Sequence, residues 1–307
     1  MPELPDISLY LHALHPRVVG HRIVRVRLAN PFLLRSIDPP LDTVNGRTVI
    51  DLRRLGKRIV FELEGELFLV FHLMIAGRFR WKDADAKIPG KVGLLAIDFE
   101  HGAMILTEAG TKRQASLHVV QGAKAIAAHD PGGLDVLEID VATFHEALTR
   151  ENHTLKRALT DPHVFSGIGN AYSDEILHAA RMSPFKQTGT LSDDEVRRLF
   201  DAMRVTLTAW IARLQQQAGD TFPEKVTAFH GEMAVHGKYG KPCPDCGAPV
   251  QRVVYAANEA NYCANCQTSG KLLADRALSR LLREDWPRTL DELERRSADR
   301  KGPRHIG

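Results

Sequence analysis

Apolar positions recur with a helical period at the start of the chain. Ile7, Tyr10, Leu11 and Leu14, with Pro5 suited to a first turn, predict a helix that His15-Pro16 ends. The period then changes to two. Val24, Val26 and Leu28 alternate with Arg25 and Arg27, the pattern of a half-buried strand. Further strand-like runs cover 48–52, 58–64, 66–71, 77–81, 94–99 and 103–107, broken by turn residues such as Asn45-Gly46 and Pro89-Gly90. Strands with little helix between them predict an antiparallel sandwich or barrel.

Beyond Asp130-Pro131-Gly132-Gly133 the pattern turns helical. Helices are expected over 144–150, 154–159 and 171–181, the last two flanking a glycine turn. A longer one starts at Ser192, where Ser192 and Glu195 form a capping-box pattern ahead of the stripe Val196, Leu199, Met203, Trp210, Ile211 and Leu214. The expected divisions are a β-domain over 1–130, a helical domain over 131–237, a cysteine module over 238–268 and a charged tail over 269–307, helical from about Leu272 to Arg296.

Composition narrows the class. No apolar run approaches the roughly 20 residues of a membrane span, and Met1-Pro2-Glu3 does not open a secretory signal. A protein of the cytoplasm without membrane partners is expected. The formal charge of +3 conceals an asymmetry: residues 1–60 hold ten Lys/Arg against five Asp/Glu, so the remainder is slightly acidic. A basic N-terminal part suits either a polyanion or a solvated surface. The tail mixes both signs, as a solvated helix face does.

All four cysteines fall in two pairs, Cys243-x-x-Cys246 and Cys263-x-x-Cys266, sixteen residues apart. This spacing predicts one tetrahedral, structural Zn2+ in a ribbon. Val250–Tyr255 and Asn261-Tyr262 would form its hairpin, with Ala257-Asn258 near the tip. So small a ribbon needs its metal to fold. Redox pairs or reduced core thiols are the competing readings.

Pro2 follows the initiator methionine, which is normally removed before a small residue. A freed Pro2 would present a secondary amine, and α-amines titrate near pH ~8, leaving a nucleophilic fraction at neutrality. Glu3 beside it is placed to move a proton. Gly167-Ile168-Gly169-Asn170 stands between two helices. Its backbone N–H groups and Asn170 suit a phosphate, or else the turn is simply a tight corner.

Taken together, these residues resemble the formamidopyrimidine-DNA glycosylase and endonuclease VIII family. The resemblance rests on Pro2-Glu3-Leu4-Pro5, on Gly56-Lys57-Arg58, on the run from Gly167 to Glu175, and on the ribbon led by Val235-His236-Gly237-Lys238-Tyr239-Gly240. It extends from residue 2 to about 268. It implies an α+β fold: an N-terminal helix with an antiparallel β-sandwich, then a helix–two-turns–helix domain with a C-terminal zinc ribbon. It also implies a monomeric, nucleoid-associated enzyme of base excision repair that flips a damaged base from DNA. The Pro2 amine would displace the base as a Schiff base, Glu3 would act as acid/base, and Lys57 would contact phosphate and donate a proton in β-elimination. Gly169 and Asn170 would bind phosphate. His72-Leu73-Met74-Ile75 resembles a stretch supplying an apolar wedge, with Ile75 in the wedge position and Met74 as substitute. The alternative is that these residues are core.

Three departures stand out. Asn258 occupies the position, five residues before the third cysteine, where the family usually has a phosphate-gripping arginine. That predicts weaker δ-elimination and duplex grip unless Arg252 or Lys271 substitutes. Asp6 and Ser8 replace glutamates. The family's intercalating segment gives way to Thr107–Arg113, where Lys112 or Arg113 would fill the gap opposite the lesion. These changes leave a second reading open, a damaged-DNA-binding paralogue that does not cut. A third, a ribosome- or transcription-associated ribbon protein, accounts for the cysteines but not for the N-terminus.

Overall fold

The computed structural model describes residues 1–110, 112–255, 258–274 and 287–300. They form two compact units. The first comprises Met1–Asp135 with Phe165–Gly167 and Leu207–Ala228; the second comprises Val136–Val164, Ile168–Thr206 and Phe229 onward.

In the first unit, helix α1 spans Leu4–Val18. It runs through Pro16 instead of stopping there. Proline at that point removes one N–H from the last turn, while the Val19 N–H still closes on the His15 carbonyl at 3.1 Å. Eight strands follow: β1 Arg25–Leu28, β2 Val49–Leu55, β3 Arg58–Leu63, β4 Leu67–His72, β5 Gly77–Lys82, β6 Gly93–Phe99, β7 Gly102–Glu108 and β8 Ser116–Gln121. They pair antiparallel into two four-stranded sheets, ordered β1-β6-β7-β5 and β2-β3-β4-β8. The fold is therefore a sandwich and not a barrel. Strand β8 was not anticipated. It pairs with β4 through Val70–His118 and Phe71–Leu117 and completes the second sheet.

Aromatic rings link α1 to this core. Tyr10 meets Phe79 edge-on at 5.4 Å, Phe79 meets Phe71 at 5.3 Å, and Phe71 meets Phe61 at 5.5 Å. The Tyr10 hydroxyl also accepts the Phe79 N–H at 3.2 Å. The buried stripe Leu4, Ile7, Tyr10, Leu14 and Val18 thus fixes the start of the chain against the sandwich.

After the short helix α2, Ala123–Ala127, the second unit begins. Its helices are α3 Val141–Thr149, α4 Leu155–Thr160, α5 Asn170–Ala179 and the first part of α6 Asp193–Ala218. Residues 161–169 make the turns between α4 and α5. The predicted capping box forms: the Glu195 N–H donates to Ser192 Oγ and the Ser192 N–H to the Glu195 carboxylate, at 3.3 and 3.1 Å. The hairpin β9 Gln251–Tyr255 and β10 Asn258–Tyr262 follows, then α7 Ala264–Thr268 and α8 Leu290–Arg300. The tail is not one helix from Leu272, because residues 271–274 are not helical. Residues 275–286 of the tail and the predicted hairpin tip at Ala257 lie outside the described residues. No helix among the described residues is long and apolar enough to cross a membrane.

Candidate active site and metal centre

The chain start is built into the first unit. Pro2 is buried and Glu3 is only 3% exposed. Asp6, fully buried, accepts the Glu3 backbone N–H at 2.8 Å. The Leu4 N–H donates to the Gly167 carbonyl at 2.9 Å. Gly167 lies at φ +88°, and a Cβ there would come within 2.9 Å of the Leu4 Cβ, so both conformation and space require glycine. Burial, with Arg78 and Lys57 nearby, holds the Met1 amine below its ordinary value of 8.0 against the opposing pull of Glu3 and Asp6.

Lys57 stands in the two-residue turn between β2 and β3. Gly56 takes φ +62° and Leu55 pairs with Arg58, the arrangement of a hairpin with glycine at its first central position. Arg54 supports this turn. Its guanidinium donates to the Gly56 carbonyl at 3.2 Å, to Ser166 Oγ at 2.9 Å and to the Asp135 carboxylate. His72 pairs across from Arg58 at the end of β4. Burial, followed by the charges of Arg58 and Lys57, lowers its imidazole to about 4, so it is neutral at neutral pH.

Residues 73–76 join the two sheets. Leu73 is core, whereas Ile75 is 63% exposed, which overturns the core reading for Ile75. Met74 sits at φ +52°. Arg78 donates to the carbonyls of Ile75 and Gly77 at 3.0 and 2.7 Å and so pins the loop. A Cβ on Gly77 would fall 2.3 Å from the Leu73 carbonyl oxygen, so the loop closes only over glycine. Sequence reasoning passed over Arg54 and Arg78. The turn glycines beside them were the available signal.

In the second unit, Gly169 caps α5 and Asn170 is its first residue. The start of α5 is held from below. Lys156, 1% exposed, donates to the Asn170 carbonyl at 2.5 Å and to Asp174 at 2.6 Å. The other Asp174 oxygen receives His236 Nδ1 at 2.8 Å and Asn261 Nδ2 at 3.3 Å. Glu175 accepts the backbone N–H groups of Ala234, Val235 and His236 at 2.8–3.0 Å. The quoted motif ends in these two carboxylates, and their structural work is to fasten α5 to the segment entering the ribbon and to β10.

The four cysteine sulfurs converge, all within 4.8 Å of one another. Cys243 and Cys266 are 3.9 Å apart, and Cys246 and Cys263 are 3.4 Å apart. A tetrahedral zinc with Zn–S bonds of ~2.3 Å places its sulfurs about 3.8 Å apart, so the donor set fits that ion. His178 Nε2 lies 3.3 Å from Cys243 Sγ, Arg181 pairs with Asp245 at 2.6 Å, and Gln267 donates to the Met182 carbonyl at 2.8 Å.

Three family models match this chain. They are the formamidopyrimidine-DNA glycosylase N-terminal domain over residues 1–115, its H2TH domain over 132–220, and a zinc finger found in FPG and IleRS over 240–268. The formamidopyrimidine-DNA glycosylase of Heliobacterium modesticaldum is 30% identical over 285 residues, covering 87% of this chain and 100% of the relative. That of Thermus thermophilus is 30% identical over 285 residues, covering 88% and 100%. The chain belongs to the formamidopyrimidine-DNA glycosylase family. A solved structure of Lactococcus lactis Fpg with an abasic-site-containing DNA is similar at TM-score 0.76 and 25% identity, covering 87% of this chain and 99% of that one.

Set in the formamidopyrimidine-DNA glycosylase family, the three departures take structural form. Asn258 is the first residue of β10 and pairs with Tyr255. Arg252, a candidate substitute, stacks its guanidinium 4.6 Å from the Tyr239 ring centre and lies 3.9 Å from Glu259. Lys271, the other, is exposed beyond α7 and bridges to Thr289. The chain after β7 is tied back by Glu108. Its buried carboxylate gathers the N–H groups of Gln114 and Ala115 at 2.9 and 3.2 Å, leaving Lys112 and Arg113 exposed. Arg113 also donates to the Lys91 carbonyl at 2.7 Å.

Proposed function

We propose that the chain is a bifunctional DNA glycosylase and abasic-site lyase that removes damaged, oxidised bases in base excision repair. The observation that carries this reading is the buried chain start: Pro2 is buried, Glu3 beside it is 3% exposed, and the Leu4 N–H is tied to the Gly167 carbonyl. Removal of Met1 leaves the Pro2 secondary amine in that setting. The base is flipped out, and Ile75, on its pinned loop, fills the vacated stack.

The Pro2 nitrogen then attacks C1′ of the flipped nucleotide. The N-glycosidic bond breaks and the base departs with a proton. Ring opening gives an iminium between Pro2 and the sugar, with Glu3 relaying protons. Loss of a C2′ proton breaks the C3′–O bond, which is β-elimination. Lys57 contacts the phosphate and serves as proton donor. Gly169 and Asn170 offer N–H and amide donors to a phosphate at the start of α5. The exposed Lys112 and Arg113 face the strand opposite the lesion, while neutral His72 hydrogen-bonds a phosphate or sugar oxygen near Lys57. Cys243, Cys246, Cys263 and Cys266 hold one Zn2+. Four protein ligands leave no position open for water, so the metal maintains the ribbon and takes no part in the reaction.

The test is a panel of single- and double-stranded oligonucleotides bearing oxidised bases or an abasic site, scored for base release and end chemistry. With Asn258 in place of a cation, the products are predicted to be mainly singly eliminated ends. A dominant doubly eliminated, phosphate-ended gap would contradict the role given to that position. DNA binding with neither base release nor strand cleavage would favour the non-cutting paralogue.

A further inference from the structure

The family models end at residue 268, yet the described chain continues and folds back. Helix α7 closes on Ser269 and Gly270, both left-handed at φ +52° and +83°, which reverses the chain. The Leu272 N–H then donates to the Arg288 carbonyl at 2.9 Å, Lys271 bridges to Thr289, and the Leu290 N–H donates to the Gly270 carbonyl at 3.1 Å. Helix α8 starts from its own cap, with the Glu292 N–H on Thr289 Oγ1 at 3.3 Å and the Arg288 N–H on the Glu292 carboxylate at 2.7 Å.

The apolar side of this segment lies on the ribbon. Leu290, 5% exposed, clusters with Val253 of β9, Tyr262 of β10 and Ala264 of α7, and Leu272, Leu273 and Leu293 pack around them. The Tyr262 hydroxyl accepts the Leu273 N–H at 2.8 Å, one residue before the third cysteine. A bare ribbon of this size buries too little to hold its hairpin without metal. Here the hairpin and the second cysteine knuckle share a core that the tail completes.

We infer that residues 269–274 and 287–296 form an intramolecular brace that locks the β9–β10 hairpin to the Cys263–Cys266 knuckle and slows loss of the metal. Asp291, Glu294 and Arg295 of α8 are exposed and face solvent. The brace is a property of the ribbon itself and does not depend on which DNA reaction the protein performs.

The test needs no DNA. Full-length zinc-loaded protein and its Leu290→Asp, Leu290→Ala and Tyr262→Phe variants are mixed with excess chelator. Zinc release is followed together with hydrogen exchange of the amides over 251–262. We expect Leu290→Asp to release zinc about tenfold faster or more, the scale of losing support around a metal ligand. Leu290→Ala and Tyr262→Phe should give smaller accelerations in the same direction. Hairpin amides should lose protection while those of β3 and β4 keep theirs. If Leu290→Asp does not fold, the two milder variants decide. Unchanged zinc release and unchanged hairpin protection in both would overturn the brace.

Discussion

At the start of α1, buried Asp6 accepts the N–H of buried Glu3. A glutamate there would reach further, and the shorter aspartate closes directly on the adjacent turn. Replacing Asp6 by alanine leaves that buried donor unsatisfied and is expected to cost about 1–3 kcal/mol in denaturant unfolding. Asp6→Asn keeps an acceptor and should cost less. Equal losses would show that the cap is not the source. His72 gives a pH signature. It is neutral in the fold down to about 4 but protonates near its ordinary 6.5 once unfolded. Its contribution is present above 6.5 and is lost as pH falls toward 4, by up to about 3 kcal/mol. His72→Asn should flatten the stability–pH curve in that window, and an unchanged slope would refute the assignment. At this scale the motifs single out Pro2, Glu3 and Lys57 as candidates, and the structure places Pro2 and Glu3 in a buried chain start and Lys57 in a tight turn. The motifs did not announce Arg54 or Arg78, because their roles consist of reaching carbonyls that only the folded turns bring near.

Among elements, the loop between β4 and β5 is the most informative. Period alone could not separate Ile75 from the core residue Leu73, since Leu73, Met74 and Ile75 form a continuous apolar stretch. The difference arises from the left-handed Met74 and from Gly77 closing over Leu73, which turn Ile75 outward. Ile75→Ala should therefore change the melting temperature little, with a stability effect within about 0.5 kcal/mol. It should also reduce the signal of a fluorescent base analogue placed beside a lesion. A large stability loss would return Ile75 to the core. Strand β8 escaped the reading because it follows an irregular loop and carries the half-buried His118 between Leu117 and Val119. Pro16 misled in the opposite direction. A proline near a helix end removes one hydrogen bond, and the burial of Leu14 and Val18 against the sandwich outweighs that loss.

Across the whole molecule, the N-terminal charge excess does less at the surface than its count suggests. Arg25 and Arg27 converge on Asp98 at 2.8 and 2.7 Å, and Arg54 is drawn to Asp135. Composition sums these as free cations, whereas the fold pairs them with carboxylates. The cysteine spacing, by contrast, translated directly into four converging sulfurs, because ligand spacing in a ribbon is set by the local chain. The tail was opaque for the opposite reason: the leucines that seat it on the ribbon, Leu272, Leu273, Leu290 and Leu293, are scattered across a fold-back. The central claim is that the Pro2 nitrogen bonds to the sugar. It is tested most directly by borohydride trapping on an abasic-site duplex, followed by mass-spectrometric mapping of the adduct. The account predicts one covalent complex, with the sugar attached to Pro2, absent when Pro2→Leu retains the initiator methionine. An adduct on an internal lysine, or none at saturating protein, would contradict it.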